Sequence, residues 1–198
     1  MTPRRCIQTP QGAAATAAVA HSAAVPVLHT DRLCLRAPRI DDLPVWTQIY
    51  TAPDAKHFGG PFSEETAWEQ FAYYTGGWML YGHGLWAVER KDDAATIGFV
   101  HLGLEWDDDE PELGWMFAHT ARGRGYAVES GRAARDYGFT LFDTFVSYIA
   151  PGNIPSNQVA ARLAAKRDPN AESTVNANTL ALGDNPINVW RYVGRLTT

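Results

Sequence analysis

The chain has 198 residues, 45% hydrophobic and 12% aromatic, which suffices for one domain with a substantial core and leaves little for a second. Its formal net charge is −5, and the first 27 residues carry two arginines and no acid, so the remainder is more acidic still. That argues against a general nucleic-acid binder and fits a neutral or cationic partner.

Cys6 and Cys34 could form at most one bridge, so no disulfide scaffold is expected and the setting reads as reducing and cytoplasmic. No apolar run approaches the roughly 18 residues of a membrane helix, so no membrane association is expected. The Ala-rich run from Ala13 to Ala20 has the outline of a signal peptide, but its Ala and Thr, with His21 and Ser22 after them, make a poor apolar centre. Residues 1–27 are therefore expected as a disordered extension and 28–198 as a single domain.

Order begins near Leu28, where Arg32-Leu-Cys-Leu-Arg36 alternates as a half-buried strand does. Asp41 can cap a helix with Leu43, Trp46, Ile49 and Tyr50 on one face. Ser63 can cap a second, carrying Trp68, Phe71, Ala72 and Thr75 and stopped by Gly76-Gly77. Three strands follow at 85–89, 96–102 and 112–117, joined by short polar connections as in an antiparallel meander. After a Gly-rich turn come a helix, a strand at 144–149 and a helix from Pro155-Ser156 with Val159, Leu163 and Lys166 in register. A last strand covers 187–193, and residues 168–186 fit no element. The fold class is α/β in the α+β sense: one domain with a mixed, mostly antiparallel twisted sheet and helices on both faces.

The turn reads Arg122-Gly-Arg-Gly-Tyr-Ala127. Where a strand gives way to a helix, the first backbone N–H groups lack partners and, with the positive helix end, form an anion site. Gly123 and Gly125 remove side chains that would block a phosphate or forbid positive φ. No Gly-Lys-Ser/Thr is present for a Walker loop, and Val128 stands where a dinucleotide fingerprint needs its third glycine. Behind the turn, Ala127, Gly131, Ala134 and Gly138 give the helix a smooth face that suits close approach to a sheet or a slender ligand.

Arg122-x-x-Gly125-x-Ala127 resembles the Gln/Arg-x-x-Gly-x-Gly/Ala signature of the GCN5-related N-acetyltransferases (GNAT). Thr30-Asp-Arg-Leu-x-Leu-Arg36, Gly82-x-Gly-x-Trp-Ala-Val88, Ile97-Gly-Phe99, Glu112-Leu-Gly-Trp115 and Asn153-x-x-Ser156-x-x-Val-Ala160 are similar to the branch that includes ribosomal-protein N-terminal acetyltransferases. The resemblance covers residues 28 to 167 and the last strand. It implies acetyl transfer from acetyl-CoA as cosubstrate to a primary amine, on a small molecule or a protein N-terminus. The CoA pyrophosphate would lie on Arg122, Gly123, Arg124, Gly125, Tyr126 and Ala127, and the pantetheine along Trp115, Met116 and Phe117.

An alkyl amine attacks a thioester only when neutral, so a carboxylate must take its proton and a donor must face the developing oxyanion. Glu112 is the first candidate for the base and Glu105 the reserve. The resemblance makes the backbone around Trp115 and Met116 the oxyanion donor and Asn153 a CoA contact, although Asn153 also reads as turn chemistry. Ser156 can protonate the departing thiolate, yet a serine there also reads as an N-cap. Two departures stand out: no tyrosine occurs from Ile154 to Lys166, where relatives place the general acid, and Ala164 replaces their glycine after the leucine. His and Cys spacing gives no metal site. The alternative reading is a CoA-binding regulatory module without turnover, and a homodimer is left open.

Overall fold

A computed structural model describes residues 4–106, 108–181 and 186–194. The sheet begins at β1 (Leu28–His29) and β2 (Leu33–Arg36), continues through β3 (Leu85–Arg90), β4 (Thr96–Gly103) and β5 (Glu112–Phe117), and is completed by β6 (Thr144–Ile149), β7 (Lys166–Arg167) and β8 (Asn188–Val193). Their spatial order is β1-β2-β3-β4-β5-β6-β8-β7. Every neighbouring pair is antiparallel except β5 and β6. The meander expected from the polar connections is β3-β4-β5.

The alternation of β3 serves two layers, since both faces of the sheet are covered. Leu85 and Ala87 pack with Phe99 against α2 (Leu43–Tyr50) and α3 (Glu64–Tyr81), through Trp46, Phe71 and Tyr74. Trp86 and Val88 face the other way, into the larger core of Val100, Leu102, Leu113, Phe145 and Leu163. That core holds α4 (Tyr126–Gly138) and α5 (Ile154–Arg162) on the sheet. The small-residue face of α4 is filled by protein: a Cβ at Gly131 would stand 2.8 Å from Leu163, and one at Gly138 3.1 Å from both Leu102 and Phe145. Close helix packing therefore accounts for the stripe.

Several boundaries differ from the sequence reading. Asp41 does not cap α2; it accepts a hydrogen bond from Thr9, while Asp42 accepts one from the Arg39 N–H at 2.7 Å and forks onto the buried guanidinium of Arg36 at 2.8 and 2.9 Å. Burial alone would raise the Asp42 carboxyl, but hydrogen bonds from Arg36 and Thr96 hold it below the usual range. Ser63 does cap α3, accepting from the Thr66 N–H at 3.0 Å. That helix runs through Gly76-Gly77 to Gly82, whose φ of 74° ends it. Gly77 is small because the returning chain crosses it, with the His83 carbonyl 2.9 Å from where a Cβ would be.

At the other end of the chain, Lys166 belongs to β7 and not to the preceding helix. Ala164 turns the backbone there with φ at 64°, a left-handed conformation that a glycine would adopt without strain. The region without an assigned element contains α6 (Pro169–Ala181), started by Asp168, whose carboxylate accepts the Ala171 N–H at 3.0 Å. Within the segment expected as a disordered extension, Gly12–Ser22 form α1, a helix with no buried residue. Nothing in its Ala-rich sequence gives it an apolar face.

Candidate active site

The parallel pair β5–β6 registers at one point only, Glu112 opposite Val146, fixed by the Val146 N–H on the Pro111 carbonyl at 2.9 Å. Beyond it the strands part. Ser147 donates its hydroxyl to the Leu113 carbonyl, and the Tyr148 N–H goes to the Glu112 carboxylate at 3.2 Å instead of to a ladder partner. The phase of the other edge follows from the Ala118 N–H, which bonds Ile97 at 3.0 Å. With a period of two, Met116 and Gly114 spend their backbone groups on β4, while Trp115 and Phe117 aim theirs into the gap. Of the two candidates for an oxyanion donor, Trp115 has the N–H that points there. The Phe117 carbonyl is taken by the Arg122 Nε at 2.9 Å.

A cleft of about 630 Å³ opens on this gap. It brings together Glu112, Trp115 and Met116 of β5, Asn153 of the connection after β6 and Ser156 of α5. Glu112 and Met116 share the face toward α2 and α3; Trp115 and Phe117 point toward α4. The Glu112 carboxyl is held well above the usual range, first by burial and then by Glu105 and Asp108, with the Tyr148 N–H opposing. A carboxylate raised in this way is more basic than an exposed one, which is the direction a proton acceptor needs.

At the start of α5, Asn153 is the cap: its side-chain oxygen accepts the Ser156 N–H at 3.3 Å. Ser156 is therefore not spent as the N-cap, and it lines the cleft. Asn157, which the sequence reading passed over, locks this corner by donating to the Ala150 and Asn153 carbonyls and accepting from Asn188 and Trp190 at 2.8 Å each. Three cleft tyrosines also carry more than apolar bulk. Tyr74 donates to the Glu105 carboxylate, Tyr50 lies beside it, and Tyr148 shares the Glu112 face. Burial raises all three phenols, so they remain protonated at neutral pH. Glu105, Asp108, Asp109 and Glu112 line the cleft along with Tyr50, Phe58 and Phe62, and outnumber its basic residues Lys56 and His57; Glu110 of the same run is drawn away into a fork with Arg191.

The glycine-arginine turn connects β5 to α4. Gly123 and Gly125 have φ of 73° and 81°, and Gly125 is the N-cap. The first helical bond is the Glu129 N–H to the Gly125 carbonyl at 3.0 Å, which leaves the Tyr126, Ala127 and Val128 N–H groups without helical acceptors. A Cβ at Gly123 would meet nothing within 4 Å, so its vicinity is open. Of the two arginines, Arg124 is exposed, whereas Arg122 turns back to Phe117 and pairs with Asp54 on the 3-10 turn Pro53–Phe58. Tyr126 is buried. Among the described residues no group of three or more His, Cys, Asp or Glu could hold a metal, and no helix is long and apolar enough to cross a membrane.

A sheet splayed at one parallel pair, a raised carboxyl at the splay and a helix starting from left-handed glycines define a CoA-type acyltransferase. The family model of the acetyltransferase (GNAT) domain matches residues 32–166, and the chain belongs to that family of acetyl-CoA-dependent acetyltransferases. It is 30% identical over 142 residues to the uncharacterized protein YkkB of Bacillus subtilis, covering 69% of this chain and 83% of that one. An acetyltransferase from Agrobacterium tumefaciens superimposes with a TM-score of 0.76 at 32% identity, covering 86% of this chain and 95% of that one. RimL, a ribosomal L7/L12 alpha-N-protein acetyltransferase solved with coenzyme A, shares the fold at a TM-score of 0.66 and 16% identity, over 85% of this chain and 98% of its own.

Proposed function

We propose that the protein acetylates a primary amine that carries positive charge, by direct attack within a ternary complex. The observation that carries this reading is the single cleft in which the β5–β6 gap, the Glu112 carboxyl and an acidic, aromatic lining meet. Bound along the gap, acetyl-CoA supplies an activated thioester carbonyl. The fit of its phosphates to the turn rests on the left-handed glycines, the open space at Gly123 and the N–H groups at the start of α4.

Each residue then has a task. Glu105, held by Tyr74, and Glu112 attract the ammonium form of the acceptor, and the aromatic rings of Tyr50, Phe58 and Phe62 favour a cation. Glu112 takes the proton that the amine must lose before it can attack. The Trp115 N–H faces the charge that develops on the carbonyl oxygen. Ser156 or Tyr148 returns a proton to the departing thiolate; Tyr148 provides the phenol that the start of α5 lacks. Neither Cys6 nor Cys34 lines the cleft, in keeping with transfer that needs no cysteine acyl-enzyme.

A small-molecule amine and a protein N-terminus both satisfy this chemistry. The test is release of free CoA thiol over a panel of mono-, di- and polyamines and peptides with cationic and neutral ends. The reading predicts turnover that favours acceptors with a second positive charge. Binding of CoA without release of thiol to any acceptor would favour a regulatory module instead.

A further inference from the structure

Beside the turn, the β1–β2 hairpin brings in Arg32, which lies outside the Arg122-x-x-Gly125-x-Ala127 signature. The Glu129 carboxylate, one turn into α4, accepts four hydrogen bonds or ion-pair contacts from this hairpin: Thr30 Oγ1 at 2.6 Å, the Arg32 N–H at 2.9 Å, Arg32 Nε at 2.7 Å and Arg32 Nη2 at 2.6 Å. The guanidinium lies 4.6 Å from the centroid of the Tyr126 ring. Its Nη2 stands 3.5 Å from where a Cβ on Gly125 would project. The side chain of Arg32 is 49% exposed and that of Glu129 18%, so the cation forms the outer rim and the carboxylate the inner support.

A carboxylate in the first turn stabilises an isolated helix, but it opposes the binding of a second anion at the same end. Burial would raise Glu129, and the hydrogen bonds from Thr30 and Arg32 more than offset it, so the group is charged at neutral pH. Its charge is therefore a standing penalty on any phosphate at Gly125 unless a cation cancels it.

We infer that Arg32 is a positioning residue for the diphosphate of the cosubstrate: it cancels Glu129 beside the turn and fixes Gly125 and Tyr126 from a hairpin 97 residues away from that carboxylate in sequence. This rests on the reading that the turn holds the CoA phosphates. It also gives the Thr30-Asp-Arg32 segment a task besides turning the β1–β2 hairpin.

The test is calorimetric binding of CoA and of phosphate-free pantetheine to the full chain and its variants. Arg32→Gln is expected to weaken CoA binding by roughly five- to tenfold, the scale of one lost charge interaction at a helix start, and to leave pantetheine unchanged. Arg32→Gln/Glu129→Gln is expected to recover most of the loss, because the uncancelled carboxylate goes too. Arg32→Lys, which keeps the charge but loses the fork onto Glu129 and the stacking on Tyr126, is expected to bind CoA between the parent and Arg32→Gln. An equal loss on both ligands, or a double variant no better than Arg32→Gln, would overturn the inference in favour of a purely structural clamp. If Gly125→Val weakens CoA while Arg32→Gln does not, the inference fails and the phosphate reading stands; if neither variant matters, the phosphate reading fails as well.

Discussion

Replacing Glu112 by glutamine keeps the shape of the side chain and an oxygen for the Tyr148 N–H, now at 3.2 Å, while removing the base. An alkyl amine with a pKa of about 10.4 is neutral in roughly one molecule in a thousand near pH 7.4, so a base in the site can contribute up to about that factor. General-base catalysis is worth about 10²–10⁴-fold, and the two bounds together give an expected loss in kcat/KM on the order of 10²–10³ at neutral pH. The loss should shrink about tenfold for each pH unit toward the amine's pKa, because the variant draws on amine that is already neutral.

Stability should move the opposite way. A carboxyl raised in the folded state leaves stability intact below the unfolded value of 4.5 and loses it as pH rises toward the folded value. Glu112→Gln is therefore expected to match the parent in unfolding free energy at pH 4 and to exceed it at pH 8, by about 1.4 kcal/mol per unit of the raised pKa. Thiol-release rates from pH 6 to 10 and denaturant melts at the two pH values measure both arms. An unchanged rate at pH 7, or a rate loss independent of pH, would refute the assignment of Glu112 as base.

Other outcomes follow from the same geometry. Ala164→Gly relieves a left-handed alanine worth about 1–2 kcal/mol at an unfolded-state entropy cost of about 0.5–1 kcal/mol; since Ala164 is exposed, a thermal melt should show a midpoint about 1–4 °C higher. His101 is buried and pushed down to about 3, first by burial and then by His83, so stability should fall as pH drops below about 6.5, and denaturant melts of His101→Gln should show a flatter pH dependence. Asp42→Asn removes the more buried of the two carboxylates on Arg36 and leaves Glu89 as its counter-charge, so it should cost about 1–3 kcal/mol by urea titration. Ser156→Ala and Tyr148→Phe, compared by single-turnover thiol release, should assign the proton donor: the variant that slows release with CoA affinity unchanged marks it.

What the sequence made legible was local. Alternation at 85–89 and 96–102 and the helical faces at Leu43–Tyr50 appear where expected because each is set by near neighbours. The Gly76-Gly77 pair misled because a glycine inside a helix can answer a tertiary demand, here the His83 carbonyl crossing at 2.9 Å, as readily as it can end the helix. The lost register at Lys166 has a similar cause: Ala164 takes a left-handed φ that ends the helix, next to Leu163, which packs against Gly131. The placement of Glu112 at the start of β5 and of the glycine turn before α4 could be read from residue type and order. The Tyr74–Glu105 bond and the Arg32–Glu129 clamp join residues 31 and 97 positions apart, and no periodicity announces them. The capping of α5 by Asn153, which frees Ser156, turned on a side-chain rotamer that the N-x-x-S spacing permits but does not specify.

The central claim is acetyl transfer to a charged amine without a covalent enzyme intermediate, and rapid-quench mass spectrometry of the protein with acetyl-CoA tests it most directly. With acetyl-CoA alone the chain should keep its unmodified mass while CoA stays acetylated. On addition of a diamine, free CoA and monoacetylated diamine should appear in equal amounts. An acetyl group found on the protein before the amine is added, or thiol release that does not depend on the amine, would contradict it.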